Sequence, residues 1–359
     1  MKTSRRLHVC SAVALTLISA LSLTAADATK APAPDLAKPV QVYIMLGQSN
    51  MVGLGKVTGP DGSLDFAVKT KKKYPHLIDA AGNWAERPDV RFVRVMVGRS
   101  GGMQLFNNEF LKVGGKTMGP EYGIGHPLGD AVEAPLMLLK SCIGNRSLGW
   151  DLLPPGSERY VFEGKVYAGY KDRPDAWPVD AAKGTATVPA PWVDKAGKPI
   201  DWYAGKQYDD DIANAKKVLA ELDKYYPGAT KYEIAGFFFW QGEKDGGNAG
   251  HAAKYEENLV RFIKYLRKDF AAPNAKFVLA TLGEATQSST GNGGKVLAAQ
   301  LAVDGASGKY PEFKGNVATV YANPLSKGGS GNSHYNGNAE TYMAVGEAMG
   351  KAMVELLKR

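Results

Sequence analysis

The chain has 359 residues, of which 44% are hydrophobic, 22% charged and 10% aromatic, with a formal charge of +8. This is ordinary globular composition, and it excludes a disordered polymer, a collagen-like repeat and a multi-span membrane protein. About two domains is the soft expectation from length, although α/β folds of this size also form one unit, and the core can be large enough to need no staples.

The first 26 residues read as an export signal. Lys2, Arg5 and Arg6 make a positive start, Val9 to Leu23 is an apolar run, and small residues follow, with cleavage expected after Ala26 or Ala28. Residues 27–39, rich in proline, read as a tether. Removing the three leader charges leaves +5, and the only compact basic run is Lys71-Lys72-Lys73, which reads as solvated surface rather than a nucleic-acid track. With Cys10 in the leader, Cys142 is left without a partner. No zinc or calcium spacing, phosphate-binding loop or dinucleotide fingerprint is present, so no cofactor is expected.

Val42 to Leu46 is a continuous apolar run, which predicts a strand buried on both faces. Gly47-Gln48-Ser49-Asn50-Met51 follows it. A serine on a tight turn between strand and helix presents both its hydroxyl and its backbone N–H, which suits a nucleophile and equally a structural turn. Residues 53–119, rich in Gly and Pro, read as an insertion. Leu136 to Ile143 predicts a second strand, leading to Gly144-Asn145-Arg146-Ser147-Leu148. A second insertion, about 151–206, carries Tyr160, Tyr167, Tyr170, Trp177, Trp192, Trp202 and Tyr203, which either stack on sugar rings or pack the insertion onto the domain.

Asp209 to Tyr226 has helical apolar spacing. Ile234 to Trp240 is a third strand, followed abruptly by Gln241-Gly242-Glu243-Lys244-Asp245; carboxylates at a buried strand end need partners, or else serve a helix start. His251 to Phe270 predicts a helix, and Phe277 to Leu282 and Val317 to Tyr321 two more strands. The loop Gly331-Asn332-Ser333-His334-Tyr335-Asn336-Gly337 precedes a last helix with Tyr342, Val345, Met349, Met353 and Leu356 on one face. Of the histidines beyond the leader, only His334 lies in a polar loop after a strand, where imidazole serves best as a base. Alternating strands and helices predict a three-layer α/β/α sandwich on a parallel sheet of about five strands, with its site beyond the strands' carboxyl ends.

Taken together, the blocks around Ser49, around Gly144 with Asp151-Leu152-Leu153-Pro154-Pro155, at Trp240-Gln241-Gly242-Glu243 and at His334 resemble the SGNH-type carbohydrate esterases. Within these, they are similar to the group of sialate O-acetylesterases and family 6 acetylxylan esterases. The resemblance implies Ser49 as nucleophile, His334 as base, and an oxyanion hole from the N–H groups of Ser49 and Gly144 with the Gln241 side chain. Many SGNH enzymes carry an aspartate three residues before the histidine; here that residue is Gly331, so Glu243, with Asp245 in reserve, is expected to orient His334. Asn145 also departs from the glycine usual in its block. The implied protein is a secreted or periplasmic serine esterase that removes O-acetyl groups from an oligo- or polysaccharide without cofactor or metal. It has no nucleic-acid partner and no membrane association after cleavage, and residues 40–359 form one domain. A glycan-binding protein on an esterase fold, or a lipase or thioesterase, are the alternatives.

Overall fold

The structure is a computed structural model that describes residues 34–98 and 101–359. The export signal and most of the tether lie outside the described residues. Seven strands form one sheet: β1 (Val40–Gly47), β2 (Glu86–Val97), β3 (Met103–Lys112), β4 (Leu136–Ser141), β5 (Tyr232–Trp240), β6 (Lys276–Ala280) and β7 (Val317–Val320). Their order is β7-β6-β5-β1-β4-β2-β3, with every pair parallel except the β2–β3 hairpin at the edge.

The apolar runs arise because the central strands are covered on both faces. In β1, Val40, Val42, Ile44 and Leu46 enter one core, while Tyr43 and Met45 enter the other. In β5, Phe237 and Phe239 face the first core and Phe238 and Trp240 the second. The first core is closed by helices α3 (Lys206–Ala220), α4 (Ala249–Asp269) and α5 (Gly291–Ala302). The second is closed by α2 (Glu121–Ala131) and α6 (Ala339–Leu357). The long helices begin where asparagine side chains accept backbone N–H groups: Asn248 from Gly250 and His251, Asn338 from Thr341. The expected α/β sandwich is therefore present, and all five expected strands are in it.

The reading of residues 53–119 as an insertion is corrected. This stretch supplies β2 and β3, and its ends are joined by the short pair Gly55–Lys56 with Thr117–Met118. The pattern of β2 was obscured by arginines among its apolar residues. At the sheet edge these find partners: Arg91 Nε donates to the Tyr225 carbonyl at 2.9 Å, and the Arg94 guanidinium stacks over Phe106. The stretch 151–206 does build a separate piece, a three-stranded sheet of Tyr160–Phe162, Lys165–Tyr167 and Ala176–Pro178. Its Trp177, with Trp150, Leu153 and Val166, forms a small apolar cluster, so packing accounts for part of the aromatic content.

One buried ion pair ties the second core to the end of β1. Lys140, near the carboxyl end of β4, is fully buried and donates to Glu121 Oε2 at 2.6 Å and to the Val52 carbonyl at 3.2 Å. Glu121 Oε1 accepts from Gly119 N–H at 2.9 Å. Val52 closes the helical turn α1 (Ser49–Val52) that follows β1. Removing one partner of such a pair leaves the other charged and unpaired, which costs about 3–5 kcal/mol. Lys140→Met is expected to lose that much in urea unfolding, with part regained in the Lys140→Met/Glu121→Gln double variant. A loss below about 1 kcal/mol would show that the pair holds nothing.

Candidate functional site

The carboxyl ends of β1, β4, β5, β6 and β7 open onto one rim, where the parallel fold places ligands. Gly47 ends β1 with φ +145°, and a Cβ there would run into the Trp240 carbonyl, so only glycine fits. Gln48 N–H donates to that same carbonyl at 3.1 Å. The chain then turns at once into α1, whose first residue is Ser49. As the opening residue of a helical turn, Ser49 has no intrahelical acceptor for its N–H. From the end of β4, Gly144 comes against it: a Cβ on Gly144 would lie 3.5 Å from Ser49 Cβ.

Beneath Ser49 lies a polar junction. Glu243 Oε2 accepts from Gln48 Nε2 at 2.8 Å, and Glu243 Oε1 from Asn50 Nδ2 at 2.6 Å. Asn50, fully buried, also donates to the Gly331 carbonyl at 3.0 Å and accepts from Tyr342 Oη at 3.0 Å. One glutamate thus binds both neighbours of Ser49, and one asparagine joins them to the turn that carries His334. Burial, reinforced by the charge of Glu284, pushes the Glu243 carboxyl up to about 7.

Gln241 and Asp245 do different work from that expected. Asp245 is fully buried and accepts from the N–H groups of Leu148 and Gly149, each at 2.8 Å, and from Gln241 Nε2 at 2.6 Å. Gln241 Nε2 also faces the Arg146 carbonyl at 3.0 Å and Gln48 Oε1 at 3.2 Å, while its own Oε1 accepts from Tyr255 Oη at 2.9 Å. Its amide hydrogens are committed inside the protein, and the N–H that the resemblance assigns to an oxyanion points at Asp245 instead. The pair holds the loop that carries Gly144. Burial raises the Asp245 carboxyl. The second insertion meets this loop where the Arg146 guanidinium stacks on Trp202 at 4.7 Å.

His334 sits in a turn of unusual backbone, with φ +55° at His334 and +52° at Tyr335 and Asn336. Its N–H donates to the Gly331 carbonyl at 3.0 Å. Its Nδ1 is buried without a hydrogen-bond partner among the described residues. Neither Glu243 nor Asp245 bonds the imidazole: the first is turned to the serine turn, the second to the Gly144 loop. Cys142 is no rival nucleophile, because burial pushes its thiol up to about 12.

Two residues escaped the sequence reading. His251, on α4, lies 2.8 Å from Asp175 of the second insertion; burial alone would lower its pKa, but Asp175 and Asp245 outweigh that and raise it. Nothing local to the sequence marks that pair. Glu284 accepts from Gly331 N–H at 2.9 Å. It follows β6, a polar residue at a strand end like those after β1 and β5, and that position is its signal in the sequence.

The Asp245 carboxylate accepts three bonds that an asparagine cannot all replace. Asp245→Asn, which turns one oxygen into a donor facing donors, is expected to lower stability by about 1–3 kcal/mol in chemical denaturation. An unchanged midpoint would show that the Gly144 loop is held by other contacts.

Comparison with known proteins adds the following. Residues 179–355 match the family described as carbohydrate esterase, sialic acid-specific acetylesterase. No curated protein matches the chain by sequence. Among solved structures, a protein from Arabidopsis thaliana is similar with TM-score 0.47 and 17% identity, covering 88% of this chain and 98% of its own. A carbohydrate acetylesterase from Xanthomonas citri is similar with TM-score 0.46 and 14% identity, covering 87% of this chain; the match spans 55% of that protein. NanS is similar with TM-score 0.45 and 13% identity, covering 89% and 99%. Residues 179–355 are thus similar to the sialic acid-specific acetylesterase family of carbohydrate esterases.

Proposed function

We propose that the protein is an exported serine esterase that removes O-acetyl groups from a carbohydrate through an acyl-enzyme. Residues 40–359 act as one catalytic unit, delivered to the periplasm or the exterior by the leader. The observation that carries the reading is the junction at Asn50, which ties the Ser49 turn to the His334 turn while Gly144 stands against Ser49. These are three of the four blocks on which the resemblance rests, brought to one rim by strand ends distant in sequence.

In this mechanism Ser49 Oγ attacks the acetyl carbonyl carbon and passes its proton to the His334 imidazole. The carbonyl oxygen becomes an oxyanion facing the N–H groups of Ser49 and Gly144. The bond to the sugar oxygen breaks, and that oxygen takes the proton from His334. Water then attacks the acetyl-Ser49 ester, giving a proton to His334. Acetate leaves, and Ser49 recovers its hydrogen. Gln241 takes part as a strut that fixes Gln48 and the Gly144 loop. Glu243 holds the side chains on either side of the nucleophile.

Ser49→Ala is expected to reduce acetate release from acetylated saccharides by at least about 10⁴-fold. Retained turnover would remove Ser49 from the reaction. The same assay run beside polymer binding separates an esterase from a glycan-binding protein, since binding without acetate release supports only the latter. Acetyl esters are expected to be hydrolysed faster than octanoyl esters, and the reverse order would favour a lipase or thioesterase.

Gly144→Ala places a methyl group about van der Waals distance from Ser49 Cβ, where the acyl oxygen is expected to settle. The variant is expected to fold normally and to lose about 10-fold or more in kcat. Full activity would show that the oxyanion does not settle in the space beside Gly144.

A further inference from the structure

Position 331 is where the resemblance leads one to expect an aspartate, and the surroundings of Gly331 show why none fits. A Cβ there would lie 2.6 Å from Glu243 Oε1, 2.7 Å from Glu284 Oε2 and 3.0 Å from Tyr335 Oη. Two carboxylates from other strand ends already occupy the space that a side chain at 331 would fill. They are not equivalent. Both oxygens of Glu243 accept from Gln48 and Asn50. Glu284 uses only Oε2, on Gly331 N–H at 2.9 Å. Its residue is otherwise exposed, and its Oε1 makes no bond among the described residues.

The other end of the turn has the complementary need. His334 N–H closes onto the Gly331 carbonyl, and the buried Nδ1 of His334 has no acceptor among the described residues. An acceptor on the second ring nitrogen fixes the tautomer and stabilises the imidazolium that forms when the base takes up a proton.

We propose that Glu284 is the positioning residue for His334, supplying from the end of β6 the carboxylate that Gly331 cannot carry. The inference rests on the reading of His334 as the general base. Glu284 bonds the backbone N–H three residues before His334 and fixes the start of its turn, bringing to that turn a negative charge of the sign that favours an imidazolium. Glu243 faces the same turn from the end of β5, and Tyr335 lies within it. Lys56 packs against Gly337 at its far side, while Lys327 is paired with Glu340 on α6. Glu284 is the carboxylate in this set with an uncommitted oxygen.

The test is a titration of the intact protein labelled with [¹³C]histidine and followed by NMR, with the His334 signal assigned by its loss in His334→Asn. Glu284→Gln is expected to lower the His334 pKa by about half a unit to one unit, and Glu284→Asp to keep most of the original value. In acetate release, Glu284→Gln is expected to lower kcat by about 10-fold or more with KM held within about twofold, and to move the acid limb of the pH profile downward with the imidazole. An unchanged His334 titration in Glu284→Gln overturns the proposal, as does a larger shift in Glu243→Gln, which would make Glu243 the partner. Neither result touches the esterase reading, which falls instead if Ser49→Ala stays active, and the titration reports on the Glu284–His334 pair in either case.

Discussion

A single buried amide holds the rim together. Asn50 has two hydrogens and one carbonyl oxygen to satisfy, no water to satisfy them with, and three partners drawn from separate parts of the chain: Glu243, the Gly331 carbonyl and Tyr342. A buried primary amide left short of partners is costly, so each bond it makes is also a constraint on where the partner's segment lies. Because Asn50 follows Ser49 directly, the constraint falls on the serine. The end of β1, the turn after β5, the loop before α6 and α6 itself are registered against one another through a side chain that touches no solvent.

Acids at neighbouring strand ends repeat the same device. A carboxylate can accept several hydrogen bonds at once, from backbone and side chains alike. Asp245 uses this to hold the Gly144 loop, Glu243 to hold Gln48 and Asn50, and Glu284 to hold Gly331. Each is set at the end of a parallel strand, where the chain leaves the sheet and backbone N–H groups lose their ladder partners. The expense shows in the raised pKa of Glu243 and Asp245, both driven first by burial. On the underside of the same turn, Lys140 and Glu121 neutralise one another in the core and fasten Val52. The rim is therefore rigid for electrostatic reasons on both sides of the sheet.

How much of this was legible in the sequence depends on the range of the interaction. Strands covered on both faces leave an unbroken apolar run, so β1, β4, β5, β6 and β7 could be read directly. The edge hairpin could not, because Arg91 and Arg94 break the pattern of β2: Arg91 is met by Asn108 of β3 and by the Tyr225 carbonyl, and Arg94 lies over Phe106 of β3. Ser49, Glu243 and His334 were visible as polar residues after strands, and Gly144 through the resemblance of its block. Which carboxylate faces which loop was not, since that follows from side-chain direction across the rim. Gln241 illustrates the difficulty: the residue type suits an oxyanion donor, yet a neighbour four positions on in the chain, Asp245, claims its hydrogens.

The glycines at 47 and 331 show how closely composition and geometry are coupled here. Gly47 lets β1 press against the Trp240 carbonyl, which brings Gln48 within reach of Glu243. Gly331 leaves room for Glu243 and Glu284 to approach the histidine turn together. An aspartate at 331 would displace both, and with them the acceptors on which Asn50 and the Gly331 N–H depend. Its absence therefore need not mark a degraded site. In this fold the space of one short acid is filled by two longer ones, each anchored at the end of its own strand, and the turn carrying the imidazole is held from β5 and β6 rather than from within.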